Sequence, residues 1–143
     1  MTKQKGRCLC GNISFSAELK DENFSACHCN MCRRWGSGPY LALQAKLDDL
    51  KGEEHIKSYK SSEWAERAFC QNCGTNLYYK VTAEGPHLGN TYISLGLLDE
   101  TAGMSLTEEI FIDEKPEGFE FAGNHPKLTG AEVMAEFTGE GSD

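Results

Sequence analysis

Short runs of alternating polar and apolar residues dominate this chain, and most are bounded by turn-forming residues. Residues 12–18 alternate with a period of two, which predicts a half-buried strand. Residues 54–60 and 64–70 lie on either side of Ser61 and Ser62, which predicts the two arms of a hairpin. Further strands are predicted at residues 24–29, 40–45, 75–81, 91–95 and 109–112.

Helical character is confined to two segments. Residues 30–35 predict a single helical turn that ends at the Gly-Ser-Gly-Pro sequence of residues 36–39. Residues 131–137 predict a helix near the carboxyl end, and residues 139–143 are expected to fray. Many short strands with neither an internal repeat nor a linker predict one mainly β domain over residues 1–143.

The charge of the chain restricts its partners. Its 22 acidic and 14 basic residues give a net charge of −8, and no basic stripe suited to nucleic-acid phosphates is visible. Neither a signal peptide nor an apolar run of membrane-spanning length is evident, so we expect a cytoplasmic protein with no membrane partner. In a reducing compartment, cysteines remain thiols unless a metal or a catalytic role uses them.

All seven cysteines fall into three sequence groups. The first is Cys8-Leu9-Cys10, and the others are residues 27–32, with cysteine at 27, 29 and 32, and residues 70–73, with cysteine at 70 and 73. Thiolates are ligands that zinc prefers, and structural zinc is nearly always bound by four ligands in a tetrahedron. An odd number of cysteines also argues against a closed disulfide framework. The grouping therefore indicates zinc.

The spacing of the seven cysteines suggests how their sulfurs are divided between two metal ions. On an extended chain, residues i and i+2 project to the same face, so each C-x-C pair can share a metal while His28 points away. Two pairs from distant segments make one closed four-thiolate site, and three cysteines then remain for a second ion. A fourth ligand from His55, His87 or His125 would instead close the second site and make both sites structural.

These motifs resemble the glutathione-dependent formaldehyde-activating enzyme family, which also includes centromere protein V. The resemblance rests on three segments in the same order: Gly6-Arg7-Cys8-Leu9-Cys10-Gly11, then Cys27-His28-Cys29-x-x-Cys32-Arg33, then Phe69-Cys70-x-x-Cys73-Gly74-Thr75. Residues 110–116 fit a late strand of the family more loosely, and residues 123–127 match its ending only faintly.

The resemblance implies a fold, a metal content and an activity. The fold would be a β-tent of packed antiparallel sheets pinned by zinc. One structural Zn²⁺ would be bound by four thiolates and one catalytic Zn²⁺ by three, with one position of the second ion left open. The ligands implied are Cys8, Cys10, Cys70 and Cys73 for the structural ion, and Cys27, Cys29 and Cys32 for the catalytic ion.

The activity implied is that of a carbon–sulfur lyase acting on glutathione and formaldehyde, of S-hydroxymethylglutathione synthase type. The alternative, suggested by the centromeric branch of the family, is a zinc-stabilised binding module without turnover. Glutathione is anionic while the chain is acidic, so a local cationic patch is required. Arg33 and Arg34 are the candidates for carboxylate contacts, although both could equally form a solvated pair.

Trp35 and Tyr40 are candidates for walls of a substrate pocket. Trp35, Tyr40 and Trp64 are each expected to belong to the core instead, because large aromatic side chains bury much apolar area. For His28, a hydrogen-bonded structural role is expected in preference to proton transfer.

Overall fold

The computed structural model describes residues 2–138, and the mainly β class predicted from the sequence is confirmed. The segment 139–143, where fraying was predicted, lies outside the described residues. No helix in the described part of the chain is long and apolar enough to cross a membrane. Within these residues the strands are β1 (Thr2–Arg7), β2 (Ser14–Leu19), β3 (Asn23–Cys27), β4 (Tyr40–Lys51), β5 (Ile56–Lys60), β6 (Ala65–Cys70), β7 (Asn76–Val81), β8 (Thr91–Ser94), β9 (Ser105–Ile110) and β10 (Lys127–Leu128).

Helices are few and short. The predicted turn at residues 30–35 is helix α1 (Asn30–Gly36), and the predicted carboxyl-terminal helix is α2 (Gly130–Thr138). Three further segments form single 3₁₀ turns: Glu53–His55, Leu95–Leu97 and Ile112–Glu114.

The chain divides into two compact units. Unit 1 contains the described residues up to Glu22 together with Ala42–Met104, and unit 2 contains Asn23–Leu41 and the described residues from Ser105 onwards. The amino-terminal and central cysteine pairs therefore belong to unit 1, whereas Cys27, Cys29 and Cys32 belong to unit 2.

Unit 1 is built on antiparallel strands in the order β1-β2-β4-β8-β7-β6-β5. Strand β4 is central, since its Ala45 pairs with Leu19 of β2 and its Leu43 pairs with Ile93 of β8. The predicted hairpin is confirmed, because β5 and β6 pair from Ile56 with Cys70 to Lys60 with Glu66. Cys70 is the last residue of β6, so the pairing in this hairpin fixes its position.

Alternation along β2 places its apolar side chains in the core of unit 1. Phe15, Ala17 and Leu19 are buried while the intervening residues are partly exposed. Leu77 and Ile93 are also almost fully buried. Burial of a large apolar side chain contributes about 1.5–3 kcal/mol, so this core stabilises the unit that carries Cys8, Cys10, Cys70 and Cys73.

Unit 2 departs from the antiparallel pairing expected from the resemblance. Strands β3 and β10 both pair with β9 in parallel, and Glu109 of β9 lies opposite Ala26 and Lys127. Parallel strands require a long connection, and the chain provides one between Cys27 and Ser105. Strand β3 is followed directly by α1, so the second cysteine group lies at a strand–helix junction.

The three aromatic residues expected in the core have different environments. Tyr40 is buried, with its ring centroid 5.2 Å from that of the half-buried Trp35. Trp64 is 38% exposed, so the prediction of a core position is wrong for this residue. It lies in the turn between β5 and β6, where its backbone carbonyl accepts hydrogen bonds from Thr82 and Ala83 while its side chain faces solvent.

Candidate metal centres

The first two cysteines meet in a tight turn that follows β1. The backbone nitrogen of Cys8 donates to the carbonyl of Ile13 at 3.0 Å, and that of Gly11 donates to the carbonyl of Cys8 at 3.1 Å. Gly11 has a φ of +81°, which favours glycine. The C-x-C pair thus shares one site through a turn and not through the extended backbone expected from its spacing.

Cys70 and Cys73 are held by a second turn of similar design. The nitrogen of Gly74 donates to the carbonyl of Cys70 at 2.8 Å, and the nitrogen of Cys70 donates to the carbonyl of Thr75 at 2.9 Å. Gly74 has a φ of +80°, so glycine after the second cysteine allows the chain to reverse into β7.

The two turns bring four sulfur atoms together. The Sγ atoms of Cys8 and Cys10 are 3.6 Å apart, those of Cys10 and Cys70 are 3.9 Å apart, and all four lie within 4.8 Å of one another. None of the seven cysteines forms a disulfide. A tetrahedral Zn²⁺ with zinc–sulfur bonds of about 2.3 Å places its sulfurs about 3.8 Å apart. This cluster therefore fits a four-thiolate zinc ion.

Hydrogen bonds favour the thiolate form of two members of this four-cysteine group. The Thr75 hydroxyl contacts the Cys73 sulfur at 3.1 Å and, as the largest cause, lowers the pKa of Cys73 to about 5. Asn72 lowers the pKa of Cys10. Burial raises the pKa of Cys70, because an apolar environment disfavours the charged form.

The second group lies where β3 ends and α1 begins. Cys27 is the last residue of β3, Cys29 caps the amino end of α1, and Cys32 lies in its first turn. The backbone nitrogen of Cys32 donates to the Cys29 sulfur at 3.3 Å. The three sulfurs lie within 4.8 Å of one another, so this three-cysteine group could also hold a metal ion.

The three thiols influence one another strongly. Contacts from Cys27 and Cys32 lower the pKa of Cys29 to about 2, and the backbone nitrogens of Cys32 and Met31 act in the same direction. Contacts with Cys29 and Cys32 raise the pKa of Cys27, because one sulfur bears the charge while its neighbour keeps the proton. A divalent cation removes this competition by stabilising several thiolates at once. The donor set therefore suits a thiophilic ion such as Zn²⁺.

Histidine is absent from both metal-capable groups in the part of the chain that the structure describes. His28 and His125 instead contact the buried carboxylate of Glu109 through their Nε2 atoms, at 2.8 and 2.6 Å. His55 lies 3.6 Å from the carboxylate of Glu54. The expectation of a hydrogen-bonded His28 is met. No sequence pattern singled out Glu109, which lies in β9 among other polar residues.

The two arginines follow the three-cysteine group on α1. Arg33 donates to the side-chain oxygen of Asn30 at 3.3 Å, and Arg34 donates to the backbone carbonyl of Asn30 at 3.4 Å. Arg34 is exposed and Arg33 is half-buried. Each guanidinium uses a single nitrogen in these contacts, and a guanidinium has five N–H donors.

A known family matches the part of the chain that contains both cysteine groups. Residues 3–114 match the family described as glutathione-dependent formaldehyde-activating enzyme, and that span includes all seven cysteines. A protein of the fission yeast Schizosaccharomyces pombe named as an uncharacterized lyase is 34% identical over 136 residues, covering 94% of this chain and 96% of its relative. The chain therefore belongs to the glutathione-dependent formaldehyde-activating enzyme family.

Proposed function

We propose that this protein is a zinc-dependent carbon–sulfur lyase of the S-hydroxymethylglutathione synthase type. In one direction a thiol S–H adds across an aldehyde carbonyl: a carbon–sulfur bond forms, and the carbonyl oxygen gains a proton. In the other direction the adduct is cleaved. The proposed substrates are the two compounds in the family name, glutathione and formaldehyde.

One observation carries this proposal. Within the described residues, the group formed by Cys27, Cys29 and Cys32 contains three potential ligands, whereas the group in unit 1 contains four. Zinc sites with four protein ligands are typically structural, while catalytic sites keep one position for a substrate or water. The contrast between the two groups supports one structural and one catalytic Zn²⁺ per chain.

The thiolate donor set favours thiol chemistry over water activation. Three thiolates outweigh the charge of one Zn²⁺, so the ion would be a weaker Lewis acid than one bound by three neutral imidazoles. A zinc ion bound there would supply a binding position for a thiol sulfur and would keep that sulfur deprotonated. The Cys32 nitrogen donates to the Cys29 sulfur and keeps it oriented toward the other two.

Binding of glutathione also requires cationic groups, because the tripeptide carries two carboxylates and the whole chain has a net charge of −8. Arg33 and Arg34 are the proposed contacts, since they follow Cys32 directly on α1. Their side chains bind only Asn30 in the contacts described above, which leaves further guanidinium donors for carboxylates.

The direct test is exchange between free formaldehyde and its glutathione adduct, followed by NMR exchange spectroscopy. The protein with two bound zinc ions should accelerate the exchange above the spontaneous rate. Cys32→Ser should lose this acceleration together with one zinc ion per chain, as measured by elemental analysis. It should keep the zinc ion of the four-cysteine group.

Two outcomes would count against the proposal. One is an intact zinc-loaded protein that does not accelerate exchange. The other is an X-ray absorption spectrum in which both zinc ions have four protein ligands, because that result would favour the binding-module alternative with two structural sites.

A further inference from the structure

A buried carboxylate in unit 2 bridges two imidazoles. Glu109 of β9 has one oxygen 2.8 Å from His28 Nε2 and the other 2.6 Å from His125 Nε2. The side chains of His28 and Glu109 are 0% and 1% exposed, and that of His125 is 6% exposed. An acid buried this deeply is uncommon unless its partners stabilise it, so the two imidazoles are expected to stabilise the Glu109 carboxylate.

The hydrogen-bond directions follow from the charge of Glu109. Burial alone would raise the pKa of this carboxyl, but hydrogen bonds from His125 and His28 outweigh burial and lower the pKa. An ionised carboxylate only accepts hydrogen bonds. Both imidazoles must therefore present an Nε2–H to it, which fixes the orientation of both rings.

The His28 residue is also restrained by its main chain and by two aromatic neighbours of its ring. The backbone nitrogen of His28 donates to the carbonyl of Ile110 at 3.0 Å, next to Glu109 on β9. The rings of Phe119 and Phe121 each lie with centroids 6.1 Å from that of His28, and these two rings contact each other edge to face at 5.8 Å. Main chain, carboxylate and aromatic rings together leave the His28 residue little freedom.

This restraint acts on the chain between two proposed zinc ligands. His28 is the single residue that separates Cys27 from Cys29, so its backbone dihedral angles set the relative direction of the two sulfurs. Cys29, two residues beyond the end of β3, has φ of −59° and ψ of 155°, and its sulfur caps α1. Holding the His28 side chain therefore holds the spacing of the sulfur pair.

We infer that Glu109 is a positioning residue for the three-cysteine zinc site, acting through His28, and that His125 anchors the far side of the carboxylate. The inference rests on the zinc ion proposed for Cys27, Cys29 and Cys32, although it is independent of the reaction. Hydrogen-bonding groups one step beyond metal ligands typically change metal affinity by about 10- to 100-fold. A change of that size, confined to one of the two sites, is expected here.

The test replaces the carboxylate with an amide of the same shape. Glu109→Gln keeps one oxygen acceptor but presents an NH₂ group to one of the two imidazoles, which must then either lose this hydrogen bond or move its proton to Nδ1. Glu108→Gln is the matched control, because it removes the same charge from the neighbouring residue of β9. Zinc release to a chelator is measured for both variants, and Cys32→Ser identifies which kinetic phase belongs to the three-cysteine group.

For Glu109→Gln, we expect release from the three-cysteine group to accelerate at least tenfold while release from the four-cysteine group is unchanged. Cadmium-113 NMR of the cadmium-loaded variant should show the same selectivity, with only the resonance of the three-cysteine group shifted or broadened. Equal acceleration of both phases, or a similar effect of Glu108→Gln, would mean that Glu109 merely supports the fold. Because the readout is metal release, the result stands whether or not formaldehyde exchange is observed.

A measurement on the unmodified protein covers the case in which the variant does not fold. Long-range ¹H–¹⁵N correlation spectra distinguish the two imidazole tautomers, and we expect the proton of both His28 and His125 on Nε2. A His28 ring protonated on Nδ1 alone cannot donate to Glu109, and that result would refute the inference.

Discussion

The hydroxyl oxygen of Thr75 lies 3.1 Å from the sulfur of Cys73, and the same oxygen lies 3.0 Å from the backbone nitrogen of Leu9. Since the Leu9 N–H donates to this oxygen, the hydroxyl proton is free to point at the sulfur. Thr75 thus links the two cysteine turns of unit 1 through its contact with Leu9. Its contact with the sulfur explains why the pKa of Cys73 falls to about 5.

Thr75→Val should weaken metal binding at the four-cysteine group. Valine has the shape of threonine but neither donates to the Cys73 thiolate nor accepts from Leu9. A hydrogen bond to a charged group contributes about 1.5 kcal/mol or more, which corresponds to about tenfold faster zinc release to a chelator. Thr91→Val removes a hydroxyl that binds the Gly89 carbonyl, and it should leave release unchanged. Similar rates for the two variants would disprove the role of Thr75.

Gly52→Ala should destabilise unit 1 and disturb the Cys8 turn. Gly52 has a φ of +81°, and a Cβ atom there would lie 1.8 Å from the carbonyl oxygen of Asn12, next to the Ile13 that binds Cys8. Backbone strain and the forced displacement together predict a loss of at least about 3 kcal/mol in urea unfolding. Gly118→Ala, where nothing lies within 4 Å of the added atom, should cost little. Equal losses would contradict the steric argument.

Local signals account for the part of the site that could be predicted from the sequence. These signals act within a few residues: the cysteine spacing, Gly74 after Cys73, and the Gly-Ser-Gly-Pro sequence at residues 36–39. The grouping of the sulfurs and the helical turn at residues 30–35 were therefore predictable. The hairpin that delivers Cys70 was also predictable, since both arms are adjacent along the chain.

What escaped prediction depends on contacts between distant segments. Glu109 is 81 residues from His28 along the chain, and its strand has no pattern that marks one acidic residue as buried. Strand β1 is polar at nearly every position, so no hydrophobic pattern marks it, and it pairs with β2 along its whole length. Strand β4 continues past residue 45 through a charged stretch, where it also pairs with β2.

Replacing Arg33 and Arg34 by alanine should weaken glutathione binding without slowing the bound reaction. Each lost guanidinium–carboxylate contact at a solvent-accessible position corresponds to about 1 kcal/mol or less, so the KM of the double variant should rise by about 5- to 20-fold. The kcat should remain close to its original value, because uniform binding is lost. The effect should shrink at high salt, since salt screens exposed charges.

Lys57→Ala provides the control for that experiment, because it removes an exposed cation from β5 in unit 1. It should leave KM unchanged. A double arginine variant with an unaltered KM would show that Arg33 and Arg34 are the solvated pair and that glutathione binds elsewhere.

The pH dependence of unit 2 should follow the carboxyl group of Glu109. Hydrogen bonds from two imidazoles lower its pKa below the ordinary value of 4.5. A group whose folded-state pKa is lowered contributes stability above its unfolded pKa and loses that contribution as pH falls through the folded value. The stability that Glu109 adds relative to Glu109→Gln should therefore be present at pH 5 and should decline as the pH falls below about 4.5.

Carbon-13 NMR of the Glu109 carboxyl measures the midpoint directly, and urea unfolding of the original protein, Glu109→Gln and Glu108→Gln measures the energetic consequence. Acid also releases zinc, and Glu109→Gln is expected to release it more readily, so the zinc content of each protein is measured at each pH and only samples of equal zinc content are compared. Burial opposes ionisation of Glu109, and only its two histidine partners reverse that effect. A midpoint at or above 4.5 would therefore mean that burial prevails and that the imidazoles do not both donate to this carboxylate.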